Sequence, residues 1–143
     1  MSPRRSSVNR AASGLGPLEQ RVMDQVWEGG RPLRVSDVHE AFRASFAYTT
    51  LMTTLDRLYK KGLLDRRKDG RAFRYSPRLS REALLRRSIR RTLDALLGRD
   101  PRAARPVLSS LVEAVGERDV EMLDDLERLV AEERRRTGER TKR

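Results

Sequence analysis

The chain has 143 residues, with 32 Lys+Arg against 21 Asp+Glu and a formal net charge of +11. The lack of Cys and a single His exclude disulfides, thiolate metal sites and most zinc or Ser-His-Asp chemistry. No apolar run reaches the length of about 18 residues that a membrane span needs, and Met1–Gly16 lacks the apolar core of a secretory signal. The expectation is a cytoplasmic protein with no membrane insertion, no cofactor and a polyanionic partner. Of the basic residues 28 are Arg, a bias that GC-rich coding also produces, so the position of the charge matters more than its total.

Residues 1–16 are rich in Ser, Arg and Gly and aperiodic, which reads as a disordered basic tail. Residues 17–79 behave differently. Leu18, Val22 and Val26 recur at helical spacing with Met23 and Trp27 beside them, and Pro17 suits a first turn. Gly29-Gly30 ends that helix. Leu33-Arg34-Val35 reads as a short extended stretch. Ser36 is expected to cap a second helix, with Asp37 in its first turn and Val38, Ala41 and Phe42 on its apolar face. A third helix runs from about Tyr48 to Lys61, with Leu51, Leu55 and Leu58 as its buried stripe and Gly62 after its end.

Two strands then flank Asp69-Gly70, a hairpin signal. A turn at that dipeptide sets Arg66 opposite Phe73 and Leu64 opposite Tyr75, with Leu64, Phe73 and Tyr75 facing inward. After Pro77 the pattern is helical to the end. Leu85, Ile89, Leu93, Leu96 and Leu97 mark one helix. Val107, Leu108, Leu111, Val112 and Val115 mark a second. Val120, Leu123, Leu126, Leu129 and Val130 mark a third, fraying into Glu132–Arg143. The expected domains are a basic tail (1–16), a DNA-binding unit (17–79), a helical dimerisation unit (80–136) and a disordered tail (137–143).

Three helices, a short strand after the first and a hairpin after the third form the pattern of a winged helix-turn-helix. The fold class is therefore mainly α with a small β-hairpin wing, followed by a helical dimerisation region. On the third helix, Thr49, Thr53, Asp56 and Lys60 fall opposite the Leu stripe, flanked by Thr50, Met52 and Arg57. Such a face suits a major groove: Thr hydroxyls bond base edges, and Thr and Met carbons meet thymine methyls. Thr is a mediocre helix former, so a merely solvated face more often carries Glu, Lys and Gln.

Charge clusters beside that face. Nine basic and three acidic residues lie between Asp56 and Arg78, a net +6, whereas residues 80–143 carry 16 basic and 13 acidic. The candidate DNA-binding residues are Tyr48, Thr49, Thr50, Met52 and Thr53 on the helix, with Arg57, Lys60, Arg67, Lys68, Arg71 and Arg74 on phosphates. Asp56 reads as orienting Arg57 or Lys60. Trp27 reads as core or helix–wing junction, and His39, without a second His or Cys, as a surface residue.

The segment Tyr48–Leu64 resembles the recognition-helix signature of the penicillinase repressor (BlaI/MecI) family. Leu18–Trp27 is similar to that family's first helix, and Gly70–Tyr75 to its wing. The resemblance implies a homodimeric transcriptional repressor on a dyad-symmetric, palindromic operator in double-stranded DNA. It also implies dimerisation through the C-terminal helices, on which the candidate residues are Leu85, Ile89, Leu93, Leu108, Leu111, Val120, Leu123, Leu126 and Val130. Three short amphipathic helices that cannot cover their own apolar stripes agree with a second copy. The family's inducing cleavage of an Asn-Phe bond meets Ser109-Ser110 here, which argues against induction by cutting, although a sensor-protease stays a candidate partner. The Cys-x-Cys copper motif of some relatives is absent. Tyr48 stands where the family's recognition helix often opens on Pro, and Ala47 where it has a capping Ser.

Two other classes compete. One is a non-specific, nucleoid-type nucleic-acid binder in which charge alone supplies affinity. The other is a winged-helix protein-interaction module whose wing meets an acidic partner. No catalytic constellation is legible, so an enzyme is the weakest class.

Overall fold

The computed structural model describes residues 14–142. Most of the expected basic tail therefore lies outside the described residues. The chain divides into two compact units between Thr92 and Leu93.

The first unit opens with α1 (Pro17–Gly29), whose first turn holds Pro17 and which is followed by Gly30 in the left-handed region. Glu19 reaches back to accept from the Gly16 N–H at 3.0 Å, satisfying one of the orphan donors of the helix start. α2 (Val35–Ala41) begins a residue before the expected cap: its N-cap is Arg34, not Ser36. The cause is Asp37, whose carboxylate accepts from the Arg34 N–H at 2.8 Å and stabilises an earlier start. α3 (Tyr48–Lys60) follows a turn in which Arg43 and Ala44 both have positive φ. Its N-cap, Ala47, makes no side-chain hydrogen bond.

The hairpin comprises β1 (Leu64–Asp69) and β2 (Ala72–Pro77), antiparallel. Its register corrects the expected one by two residues: Arg66 pairs with Tyr75, Lys68 with Phe73, and Asp69 with Ala72. The loop is Gly70-Arg71 rather than Asp69-Gly70. Only Gly70 has positive φ (63°), as a turn with Gly at its first central position requires. Asp69 stays in the strand because its carboxylate is bound by Arg34 and Arg74. The shift keeps the facing of the strands but carries Phe73 towards the tip. Leu64 and Tyr75 are buried, whereas Phe73 is 37% exposed, not inward as expected. The Leu33 stretch pairs with Tyr75, extending the hairpin by one bridge.

Val22, Met23, Val26, Val38, Leu51, Leu55, Leu58 and Leu64 form the solvent-free centre of this core. Trp27 packs against it half-buried and donates its indole N–H to the Leu79 carbonyl at 3.0 Å, which fastens α1 to the chain leaving the wing. α4 (Arg81–Leu97) adds Leu84, 4% exposed, to the same core. That contact was invisible in the periodicity, because the adjacent Leu84 and Leu85 point to different faces.

The second unit holds α5 (Pro101–Arg118) and α6 (Val120–Thr141). Asp100 caps α5 by accepting from the Arg102 N–H, and Asp119 caps α6 through the Glu121 N–H. α5 continues past Gly116 to Arg118, and Leu123 packs against Gly116 where the chain reverses. α6 runs through Thr137–Thr141, into the stretch 137–143 expected to be a disordered tail. Glu133 and Arg136 pair one turn apart, and Thr141 bonds the Thr137 carbonyl. Neither helix contains a buried residue.

Candidate nucleic-acid interface

α3 divides by its own geometry. Leu51, Thr54, Leu55 and Leu58 are buried, and the other faces carry Tyr48, Thr49, Thr50, Met52, Thr53, Arg57 and Lys60, all exposed. Met52 at 45% and Tyr48 at 46% exposure are large apolar surfaces left in water. Thr53 donates its hydroxyl to the Thr49 carbonyl at 2.9 Å, so its outward chemistry is a methyl group and an acceptor lone pair. Thr54 does the same to Thr50 at 2.8 Å from within the core. An open groove of about 630 Å³ runs between Thr49, Thr50, Thr53 and Arg57 on one side and Gly16–Glu19 on the other. No sequence signal marked that second wall.

The basic cluster is less uniform than its count. Lys60 pairs with Asp56 at 2.8 Å, Lys61 with Glu19 at 2.8 Å, and Arg78 with Asp65 at 3.2 Å. Arg66 pairs with Asp56 at 2.9 Å, and Arg74 with Asp69 at 2.6 Å. Arg57, Arg67, Lys68 and Arg71 make no close ion pair among the described residues, and all four are exposed. These four are the cations that a polyanion can take without breaking an internal pair. Asp56 orients Lys60 as expected, but its second partner is Arg66 rather than Arg57.

The carboxylates are tuned accordingly. Hydrogen bonds from Arg34 and then Arg74 hold the Asp69 carboxyl below the usual aspartate range. Lys60 foremost, and then Arg66, do the same for Asp56. Burial pushes the Glu19 carboxyl up, but hydrogen bonds from Lys61 and the Gly16 N–H outweigh it and leave it lowered.

The structure brings the expected helix residues and wing residues into the same unit. His39, expected at the surface, is half-buried and stacks edge-on to Tyr48 with centroids 5.9 Å apart, beside the start of α3. The expected dimerisation residues are placed separately. Ile89 on α4, Leu108 and Leu111 on α5, and Val120 and Val130 on α6 are exposed, whereas Leu85, Leu93, Leu123 and Leu126 are half-covered.

The order of elements, the helix pair and the hairpin define a winged helix-turn-helix protein with a polar third-helix face and a basic wing. A family model described as Penicillinase repressor matches residues 15–132. Transcriptional regulator BlaI from two Mycobacterium tuberculosis strains, CDC 1551 / Oshkosh and ATCC 25618 / H37Rv, is 40% identical over 121 residues, covering 82% of this chain and 83% of the relative. Among solved structures, a MarR family protein from Bacillus stearothermophilus is similar at 16% identity and a TM-score of 0.47, covering 91% of this chain and 82% of that one. The chain belongs to the penicillinase repressor family: it is a transcriptional regulator of BlaI type, not an enzyme.

Proposed function

We propose that this chain represses transcription as a homodimer bound to a dyad-symmetric operator. α3 enters the major groove, where Thr49, Thr50, Met52 and Thr53 meet base edges and thymine methyls. Tyr48 lies at the backbone beside it. Arg57, Arg67, Lys68 and Arg71 hold phosphates, with Lys60 and Arg74 contributing from their internal pairs. The observation that carries this reading is the exposed Thr/Met face of α3 in the same unit as four exposed cations without close ion pairs.

Dimerisation falls to α4, α5 and α6, which leave Ile89, Leu108, Leu111, Val112, Leu129 and Val130 in water. A second copy covers such stripes, and two α3 helices related by a dyad match two operator half-sites. None of the described helices is long and apolar enough to cross a membrane, which fits a regulator working at DNA in the cytoplasm.

The test is a mobility shift on the chain's own upstream region, run beside an unrelated duplex of equal length. A discrete complex on the first alone, surviving competitor DNA, is expected. Equal, salt-sensitive binding to both sends the reading to the nucleoid-type alternative.

A further inference from the structure

Arg66 has the composition of a phosphate contact and the environment of a structural bolt. It lies on β1 on the same face as the buried Leu64, and its side chain is only 25% exposed. One η-nitrogen donates to Asp56 of α3 at 2.9 Å. The guanidinium carbon sits 4.0 Å from the ring centroid of Tyr59, also on α3, and 4.2 Å from that of Phe73 on β2. Burial disfavours its charge, but the Tyr75 hydroxyl and the Asp56 carboxylate beside it more than offset that and keep it charged.

One side chain thus touches the recognition helix at two positions three residues apart, and both strands of the wing. A planar guanidinium stacks flat on the rings while donating in its own plane, a combination that a compact lysine ammonium does not reproduce. Held between two rings and only 25% exposed, the guanidinium is screened from a phosphate, while the neighbouring Arg67 and Lys68 are exposed and make no close ion pair among the described residues.

From these contacts we infer that Arg66 is a positioning residue for DNA recognition: with Asp56 and Tyr59 it sets the wing relative to α3 and does not itself neutralise a phosphate. The inference rests on the DNA-binding reading above. It makes Asp56 a negative charge kept beside a DNA-facing surface for a geometric reason. Deleting that charge then weakens specific binding, although electrostatics alone predicts the opposite.

The experiment uses the full chain and a duplex from its upstream region, titrated by fluorescence anisotropy across a salt series. Arg66→Lys keeps the charge and should still lose at least about tenfold in specific affinity, with the slope of log K against log salt unchanged. Arg67→Ala, the comparison, should lower that slope by about 0.9, one phosphate's worth. Asp56→Asn should weaken specific binding while binding to an unrelated duplex holds or rises. Amide hydrogen exchange on the free protein supplies a readout independent of DNA: Arg66→Lys and Asp56→Asn should speed exchange across residues 64–77, with the α1 core amides unchanged. Wild-type affinity and exchange for Arg66→Lys, or a salt slope lowered by about 0.9 for Arg66→Ala with wing exchange intact, overturns the inference. If the wild type shows no specific complex, the exchange result still decides whether Arg66 bolts the wing.

Discussion

Arg34, at the N-cap of α2, reaches the Asp69 carboxylate at 2.6 Å, and Arg74 meets the same oxygen from the opposite strand. The first helix of the helix-turn-helix is thereby tied to the tip of the wing. Arg66 ties the other helix of the pair to the same hairpin. Two guanidinium–carboxylate contacts, one to each helix, hold a two-stranded sheet that is marginal by itself.

Asp69→Asn tests the first tie. Its carboxyl is held below its ordinary value, near 3.8, so the native state binds that proton more weakly than the unfolded chain. Its contribution to stability is complete above that value and is lost as pH falls through the depressed native one. Thermal melts of wild type and Asp69→Asn should therefore differ at pH 7, and the difference should shrink progressively as pH falls below about 4. A gap that persists unchanged at pH 3 counts against the ion pair as the source.

Thr53 sharpens the groove chemistry. Its hydroxyl proton is spent on the Thr49 carbonyl, so what faces outward is a methyl and a lone pair. If the methyl meets a thymine, Thr53→Val keeps most affinity while Thr53→Ala loses about 1 kcal/mol, roughly one buried methyl. If the lone pair accepts from a base, Val and Ala fall together. If the face is incidental, neither moves in the anisotropy titration, and the nucleoid-type reading gains.

The helices of the first unit were legible because their apolar residues repeat at helical spacing: Val22 and Val26 on α1, and Leu51, Leu55 and Leu58 on α3, lie at 0–1% exposure. What failed was decided by side-chain partners that no single-residue signal shows, some near in sequence and some far. Asp69-Gly70 is a good local turn signal, but Arg34, 35 residues away, holds Asp69 in the strand and moves the turn. Ser36 is a good local cap, but Asp37 reaching back to Arg34 starts the helix earlier. Arg66 looked like one more wing cation, because its stacking on Tyr59 and Phe73 depends on the register itself.

The turn between α2 and α3 stores strain. Arg43 and Ala44 have φ of 51° and 57°, a region that costs a non-glycine residue roughly 1–2 kcal/mol. Ala44 is exposed, so nothing in the packing demands its methyl. Ala44→Gly relieves the strain at an entropic cost of about 0.5–1 kcal/mol. A net gain of about 0.5–1 kcal/mol in urea unfolding is expected. A loss instead means that the left-handed geometry is not held in solution.

The apolar stripes of α5 and α6 carry the last prediction. Leu111 and Leu129 are 45% and 61% exposed in the single chain. A charge at either position therefore costs the isolated subunit little, whereas at a subunit interface it is buried unpaired and costs several kcal/mol. Leu111→Glu and Leu129→Glu should shift the sedimenting species from twice 16.5 kDa towards 16.5 kDa with far-UV helicity largely kept. Operator affinity should fall with it, by about 10² or more, because two half-site contacts no longer share one particle. Binding to a single half-site should be unchanged. Variants that stay dimeric and bind the full operator normally would place the dimer contact elsewhere than on these two faces.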